Sequence, residues 1–406
     1  MTPDALPPPR GDAPTRSVAV QSLLDAAMAL ARRAAADGFR GSDPYDGLSW
    51  GWPRVLVAGR RRRQALIQIH SRAPVDVRRL YRRRPPVIAK TLGVFGSVGA
   101  RAHRLGAAEP ARTVALSALE PLAADRSAGP RAWGYPWDTQ TRWSFYPAGT
   151  PNVVATTFAA SGLLEGAEAF GRPEWAERAR DAARWVLEAL WVEPEGYFAY
   201  HPARPGNVHN ANLLGAWLVH AALGDDPGAR DRVRRALERT LAAQRPDGSF
   251  PYGEARGLEW ADSFHSGYVL SCLARMPGDR RVDEALARGA RHYTTFFDGA
   301  GRARLWADRP YPEDGHSAGT GLTTLAVLSR RGLVDAELLE RVARRLLAEG
   351  IRGGHAVHRR HRRWRATVRY VRWCDAHAAL GLVDAAAALR GEADLAPPGR
   401  RPLARA

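Results

Sequence analysis

Two kinds of helical pattern alternate along the chain. The first is rich in small and apolar residues on every side. It occupies 152–171 (NVVATTFAASGLLEGAEAFG) and 207–224 (NVHNANLLGAWLVHAALG), then segments opening at Asp262 (DSFHSGYVLSCLARM), Asp314 (DGHSAGTGLTTLAVLSRRG) and Arg369 (RYVRWCDAHAALGLVD). The second kind is charged, with apolar residues at three-to-four spacing on one face, in runs from Glu174, Ala229, Arg280 and Asp335. A helix that is apolar all round is buried, whereas a one-faced helix covers a core and meets water. The pattern therefore predicts inner helices alternating with outer ones. The inner segments start 55, 55, 52 and 55 residues apart, and a fixed period marks a repeat architecture. Upstream, 17–37, 85–106 and 110–124 supply three more helices, making six inner and six outer. No polar capping repeat closes either end, as an open solenoid requires. The expected fold is all-α, a closed (α/α)6 toroid.

After each outer helix comes an aromatic stretch carrying glycine or basic residues, such as PEGYFAYHP or RPDGSFPYGE, which predicts short β-hairpins at one mouth of the ring. The interval 50–84 breaks the pattern. RVLVAGRRRRQALIQIH shows no helical period, and VDVRRLYRRRPP follows it. It is expected to be a strand-containing insertion with a basic face. The toroid is expected over 15–388, with disordered ends at 1–14 and 389–406.

In such a ring the inner helices begin at one end, so their first turns and preceding loops surround one cavity. The polar groups of this chain collect there. The mouth segments bring Asp46 and Trp52; Tyr135, Asp138, Gln140 and Arg142; His209, Asn210 and Asn212; Tyr252, Glu254, Trp260, Asp262, His265 and Tyr268; Asp314 and His316; and Arg372, Trp373 and His377. Capping a helix needs one Ser, Thr, Asp or Asn, a role open to Asn207, Asp262 or Asp314. It needs no imidazole, yet His209, His265 and His316 recur at similar places. Their separations are those of the repeat rather than of a ligand motif, so no metal and no cofactor are expected.

Trp and Tyr beside Asp, Asn and Arg suit a sugar, whose apolar faces stack on rings and whose hydroxyls take bidentate partners. Two chemistries fit. Glycoside hydrolysis needs two carboxylates flanking the bond. Proton abstraction from a uronic acid, for elimination or epimerisation, needs a base such as His or Tyr and a group to stabilise the enolate-like state. His265, Tyr268, His209, Asp262 and Asp138 are the catalytic candidates. Asp46, Trp52, Tyr135, Gln140, Arg142, Asn210, Asn212, Tyr252, Glu254, Trp260, Asp314, His316 and Trp373 are the substrate-binding ones.

The formal charge of +18 in 406 residues favours acidic partners. An acidic oligo- or polysaccharide fits best, and nucleic acid is not expected. The basic stretch from Arg60 to Arg84 could meet a membrane surface or a biosynthetic complex. Lys90 is the only lysine; every other basic residue is arginine. Cys272 and Cys374 sit in apolar helical patterns and read as reduced, buried side chains. No signal-type apolar core opens the sequence, and a cytoplasmic location is expected.

These features resemble the six-hairpin toroid superfamily of glycosidases, polysaccharide lyases and uronyl epimerases. YPWDTQTR (135–142), HNANLLGA (209–216) and DSFHSGY (262–268) together resemble a largely uncharacterised prokaryotic family whose genes commonly accompany surface-polysaccharide biosynthesis. That resemblance implies fold and glycan context but no reaction. AQRPDGSFPY (243–252) is similar to a repeat of squalene cyclase and prenyltransferase toroids, which implies a terpenoid alternative. The Asp-rich acid motif of those cyclases is missing from the sequence. A non-catalytic, glycan-binding or complex-forming toroid is the remaining alternative.

Overall fold

The computed structural model describes residues 13–52, 55–81, 84–124, 131–141, 144–203, 206–276 and 278–397. The inner helices are α3 (Ala89–Arg104), α5 (Val153–Phe170), α7 (His209–Leu223), α9 (Ser263–Arg275), α11 (Gly315–Arg330) and α13 (Ala376–Leu389). Each packs on the next, and α13 returns to α3, so the ring is closed. The outer helices are α1 (Ala13–Ala36), α4 (Ala108–Ala124), α6 (Pro173–Ala189), α8 (Pro227–Ala242), α10 (Arg280–Thr294) and α12 (Ala336–Arg345). Each lies against the inner layer. One apolar core runs between the two layers.

Two seams of the inner ring are unusually tight, and glycine makes them so. On α3, a Cβ at Gly93 would lie 2.2 Å from the Phe158 carbonyl oxygen of α5; one at Gly162 would lie 2.3 Å from the Gly93 carbonyl. On α11, a Cβ at Gly319 would meet the His377 backbone at 2.4 Å, and Gly381 faces Gly319 in return. Only a residue without a side chain permits such approach. These seams carry Lys90 to Phe158 and His316 to His377.

Helix starts follow the capping chemistry in three inner helices. Asn152, Asp262 and Asp314 accept from the backbone N of Ala155, His265 and Ser317 at 2.9, 2.9 and 3.0 Å. Asn207 does not cap α7. Val208 occupies that place, paired with Gly253, and Asn207 Nδ2 donates to Glu254 instead. The short hairpins include β1 (Thr139–Gln140) with β2 (Phe145–Tyr146), and β3 (Trp191–Val192) with β4 (Tyr197–Phe198).

The insertion departs from expectation. Its described part holds a helix, α2 (Arg60–Arg72), a 3₁₀ turn (Val77–Tyr81) and no strand. The buried face of α2 carries Ile67 and His70, and beside them Arg63 and Gln64 reach Gln140 and the Thr141 carbonyl. Apolar Ile69 is 59% exposed. Polar residues thus share the inward positions with Ile67, which hid the helical period. The C-terminal end is also more ordered than expected. Beyond α13, Asp394 accepts two bonds from Arg275, at 2.8 and 3.3 Å, and Leu395 and Ala396 are buried. That segment folds back across the ring's far end, where its carboxylate pairs with a partly buried guanidinium.

Candidate active site

At the mouth, Asp262 does two things at once. It caps α9 and brings its carboxylate to His265 Nδ1 at 2.9 and 3.0 Å. A carboxylate on Nδ1 fixes the tautomer and leaves Nε2 free to take a proton. His265 is partly exposed, and its ring meets Tyr252 edge-on at 4.6 Å. Tyr252 and Trp260 stack at 4.3 Å and 9°, locked by the Tyr252 amide donating to the Trp260 carbonyl at 2.8 Å. Asn210 and Ser266 line the same pocket. Asn210 Oδ1 and Ser266 Oγ are buried with no hydrogen-bond partner among the described residues. A buried polar atom left unpaired costs about 1–3 kcal/mol, so both suit ligand hydroxyls.

A second cluster lies deeper, around Tyr268, one turn along α9. His316 Nδ1 donates to the Trp373 carbonyl at 2.6 Å, which leaves its Nε2 to accept the Tyr268 hydroxyl at 3.0 Å. His377 Nε2 is 3.4 Å from the same hydroxyl and Lys90 Nζ 3.5 Å. The His316 ring stacks on Trp373 at 4.1 Å, and Phe264 stands between this cluster and His265. Burial, and then Lys90, hold His316 and His377 well below the usual imidazole range. Burial, and then Arg372, press Lys90 well below the usual ammonium range. Burial raises the Tyr268 hydroxyl. Below the cluster, a narrow cavity of about 60 Å³ runs down the ring past Phe158, Tyr268 and His377 to Arg101 and Arg275.

The walls are pinned by paired arginines. Arg372 pairs with Asp43 and lies 5.0 Å from both the Tyr135 and Trp373 ring centres. Arg78 donates to Asp46 at 2.6 Å, to the Asp43 carbonyl at 2.6 Å and to Tyr370 at 3.3 Å. Burial outweighs Arg78 and pushes the Asp46 carboxyl up to about 6.

The structure thus gathers His265, Asp262, Asn210 and Tyr252 into one pocket, with Trp260 stacked on Tyr252 beside it, and Tyr268, His316 and Trp373 into the cluster behind it. Tyr135 stacks on Trp137 beneath Arg372. Other candidates are engaged elsewhere. His209 is fully buried, its Nδ1 3.3 Å from Thr240 of the outer α8, and burial lowers it to about 4. Asn212 ties α7 to the Phe198 amide, the Ala236 carbonyl and Thr240. Glu254 is held by Arg239 and Asn207, Asp314 by its cap and Arg359, and Asp138 accepts the Ala148 amide. Gln140 closes its own hairpin, Trp52 donates to the Gly47 carbonyl, and Asp46 is spent on Arg78. Arg142 lies outside the described residues. Sequence reasoning did not place Lys90 in the site, although a lone lysine among arginines was a visible signal. Among the described residues, no group of three or more His, Cys, Asp or Glu side chains could hold a metal ion.

No protein-family model and no curated protein matches the chain by sequence. Solved structures match by shape. An unsaturated glucuronyl hydrolase from Bacillus sp. GL1 superposes with a TM-score of 0.60 at 13% identity, over 89% of this chain and 96% of that one. A cellobiose 2-epimerase from Bacillus thermoamylovorans B4167 gives 0.56 at 12% identity, over 73% and 87%. A polysaccharide lyase gives 0.53 at 10%, over 74% and 90%. The fold is the (α/α)6 toroid.

Proposed function

We propose that the protein is a carbohydrate-active enzyme that moves a proton at a carbon beside a carbonyl group of an acidic sugar, as a lyase or epimerase does. One observation carries the reading. Histidine bases gather at the mouth and just beneath it, while the mouth's carboxylates are committed. Hydrolysis needs two carboxylates free to flank a bond. Asp43, Asp46, Glu254 and Asp314 are each in an ion pair, Asp138 holds a backbone amide, and Asp262 orients His265. The sugar stacks on Tyr252 and Trp260, with hydroxyls on Asn210 Oδ1 and Ser266 Oγ. His265 takes the proton. The Tyr268–His316 pair returns one or steadies the developing oxyanion. The epimerase and lyase among the structural relatives are in keeping with this; the hydrolase keeps hydrolysis as the second reading. The test is incubation with acidic and neutral oligosaccharides, followed by mass spectrometry. An unchanged mass with altered stereochemistry, or a new unsaturated end, supports proton transfer. New reducing ends carrying added water would establish hydrolysis, and binding without product a non-catalytic role.

We also propose that the basic insertion docks on an anionic membrane surface involved in surface-polysaccharide metabolism. No helix among the described residues is long and apolar enough to cross a membrane. Yet among the described residues five of the eight exposed large hydrophobic side chains lie in this one segment: Val55, Leu56, Ile69, Val75 and Leu80. They stand among exposed Arg61, Arg62, Arg72 and Arg84. Apolar side chains beside arginines suit the boundary of acidic headgroups and acyl chains. The protein should float with phosphatidylglycerol vesicles and not with phosphatidylcholine, and Leu80→Glu with Ile69→Glu should abolish flotation. Failure to float with either vesicle sinks the idea and favours a protein partner.

A further inference from the structure

We propose that Lys90 is a carbonyl-capture residue, its amine forming a Schiff base with the open-chain aldehyde of a reducing sugar bound in the ring. The proposal rests on the reading of the mouth as a sugar site and names the substrate class more narrowly.

The buried cations of the ring show why Lys90 is different. Arg78 has Asp46, Arg372 has Asp43, Arg101 has Glu165 and Asp384, and Arg275 has Asp394. Lys90 is just as buried, 1% exposed, and among the described residues it has no carboxylate at ion-pair distance. Its Nζ sits 4.1 Å from the Phe158 ring centre, with the Tyr268 hydroxyl at 3.5 Å. It also stands in the first turn of α3, where the helix dipole opposes a cation. An unpaired ammonium in such a place gives up its proton, and the burial shift described above runs the same way. A guanidinium cannot do this, because it stays charged in proteins. That gives a chemical reason for lysine at the single position that is not arginine among 60 basic residues. A neutral amine in an apolar pocket is a nucleophile toward carbonyl carbon. Phe158, Tyr268 and His377, which surround it, line the central cavity, so these side chains alone separate the amine from that space.

The step balances without a co-reactant. Lys90 Nζ bonds to C1 of the aldehyde, and the carbonyl oxygen becomes the hydroxyl of a carbinolamine. That hydroxyl leaves as water on taking up one proton from solvent, relayed through Tyr268 Oη, and C1=Nζ remains as a protonated iminium; the later hydrolysis gives that proton back. The iminium acidifies the C2 hydrogen; an imidazole removes it to give an enamine. Reprotonation and hydrolysis return the amine and the sugar.

The chain has one lysine, so amine trapping reads a single side chain against the α-amino group as an internal control. The protein is incubated with glucuronic acid, or with methyl glucuronide, whose C1 is locked as an acetal. Cyanoborohydride is present, and adducts are mapped by peptide mass spectrometry. The expected result is an adduct on Lys90 with glucuronic acid, none with the methyl glycoside, and complete loss in Lys90→Met. Should that variant fail to fold, the map of the unmodified chain still decides. Modification confined to the α-amino group overturns the proposal. Deuterium exchange into the same sugars is read in parallel. Exchange without a Lys90 adduct discards capture and leaves proton transfer standing; neither adduct nor exchange discards both.

Discussion

His265 and His209 fall within one residue of the same place in the repeat and differ in what surrounds them. His265 has a carboxylate on Nδ1, aromatic rings around it and partial exposure; His209 has a threonine and full burial. Period alone could not separate them, because it fixes where along a helix a residue falls and not what the outer layer places opposite. The Asp262–His265 pair was legible, since three residues along a helix bring both to one face. Asn212 and Glu254 were not, because their partners lie 28 and 15 residues away in another element. The contrast yields a prediction. His265→Ala and Tyr268→Phe should abolish turnover with the thermal midpoint nearly unchanged, whereas His209→Ala should retain turnover and lower the midpoint. Turnover that survives His265→Ala would place the chemistry elsewhere.

At the scale of elements, inner and outer helices could be read directly, because their burial is written in their periodicity. The tight seams were less plain. Gly93 and Gly162 look like ordinary small residues until their helices meet across the ring. Gly93→Ala should lower stability by about 1–3 kcal/mol, because the new methyl collides with backbone rather than with a side chain able to turn. It should also weaken the site, since Gly93 is one turn from Lys90. Chemical denaturation and activity assays check both; an unchanged unfolding midpoint would mean that the seam is looser than it stands here. The insertion α2 escaped sequence reading for the opposite reason, most of its inward residues being polar and Ile69 facing out.

Across the whole molecule, a buried ion cluster clasps the far end of the ring. Arg101 of α3 donates to Glu165 of α5 at 2.7 and 2.8 Å and to Asp384 of α13 at 2.5 Å. Arg101→Met strands two buried carboxylates and should cost about 3–5 kcal/mol, measured by denaturant unfolding. Acid should act on the fold as well. Burial depresses His201, His209 and His358 to about 4 each. Between about 4 and 6.5 the unfolded chain then binds more protons than the folded one, so stability falls as pH drops through that window, by about 1.4 kcal/mol per unit for each group. Asp46, raised to about 6, acts the other way over part of the range, but one carboxyl opposes three imidazoles. The thermal midpoint should drop between pH 6 and 4, less so in His358→Gln; a flat profile would contradict burial of these rings as neutral groups.

The most direct test of the account is deuterium exchange from heavy water into an acidic reducing sugar, followed by NMR for the native protein and for His265→Ala. The account predicts uptake at a carbon beside a carbonyl in the native protein and none in the variant. Turnover that releases new reducing ends without carbon-bound deuterium would contradict it.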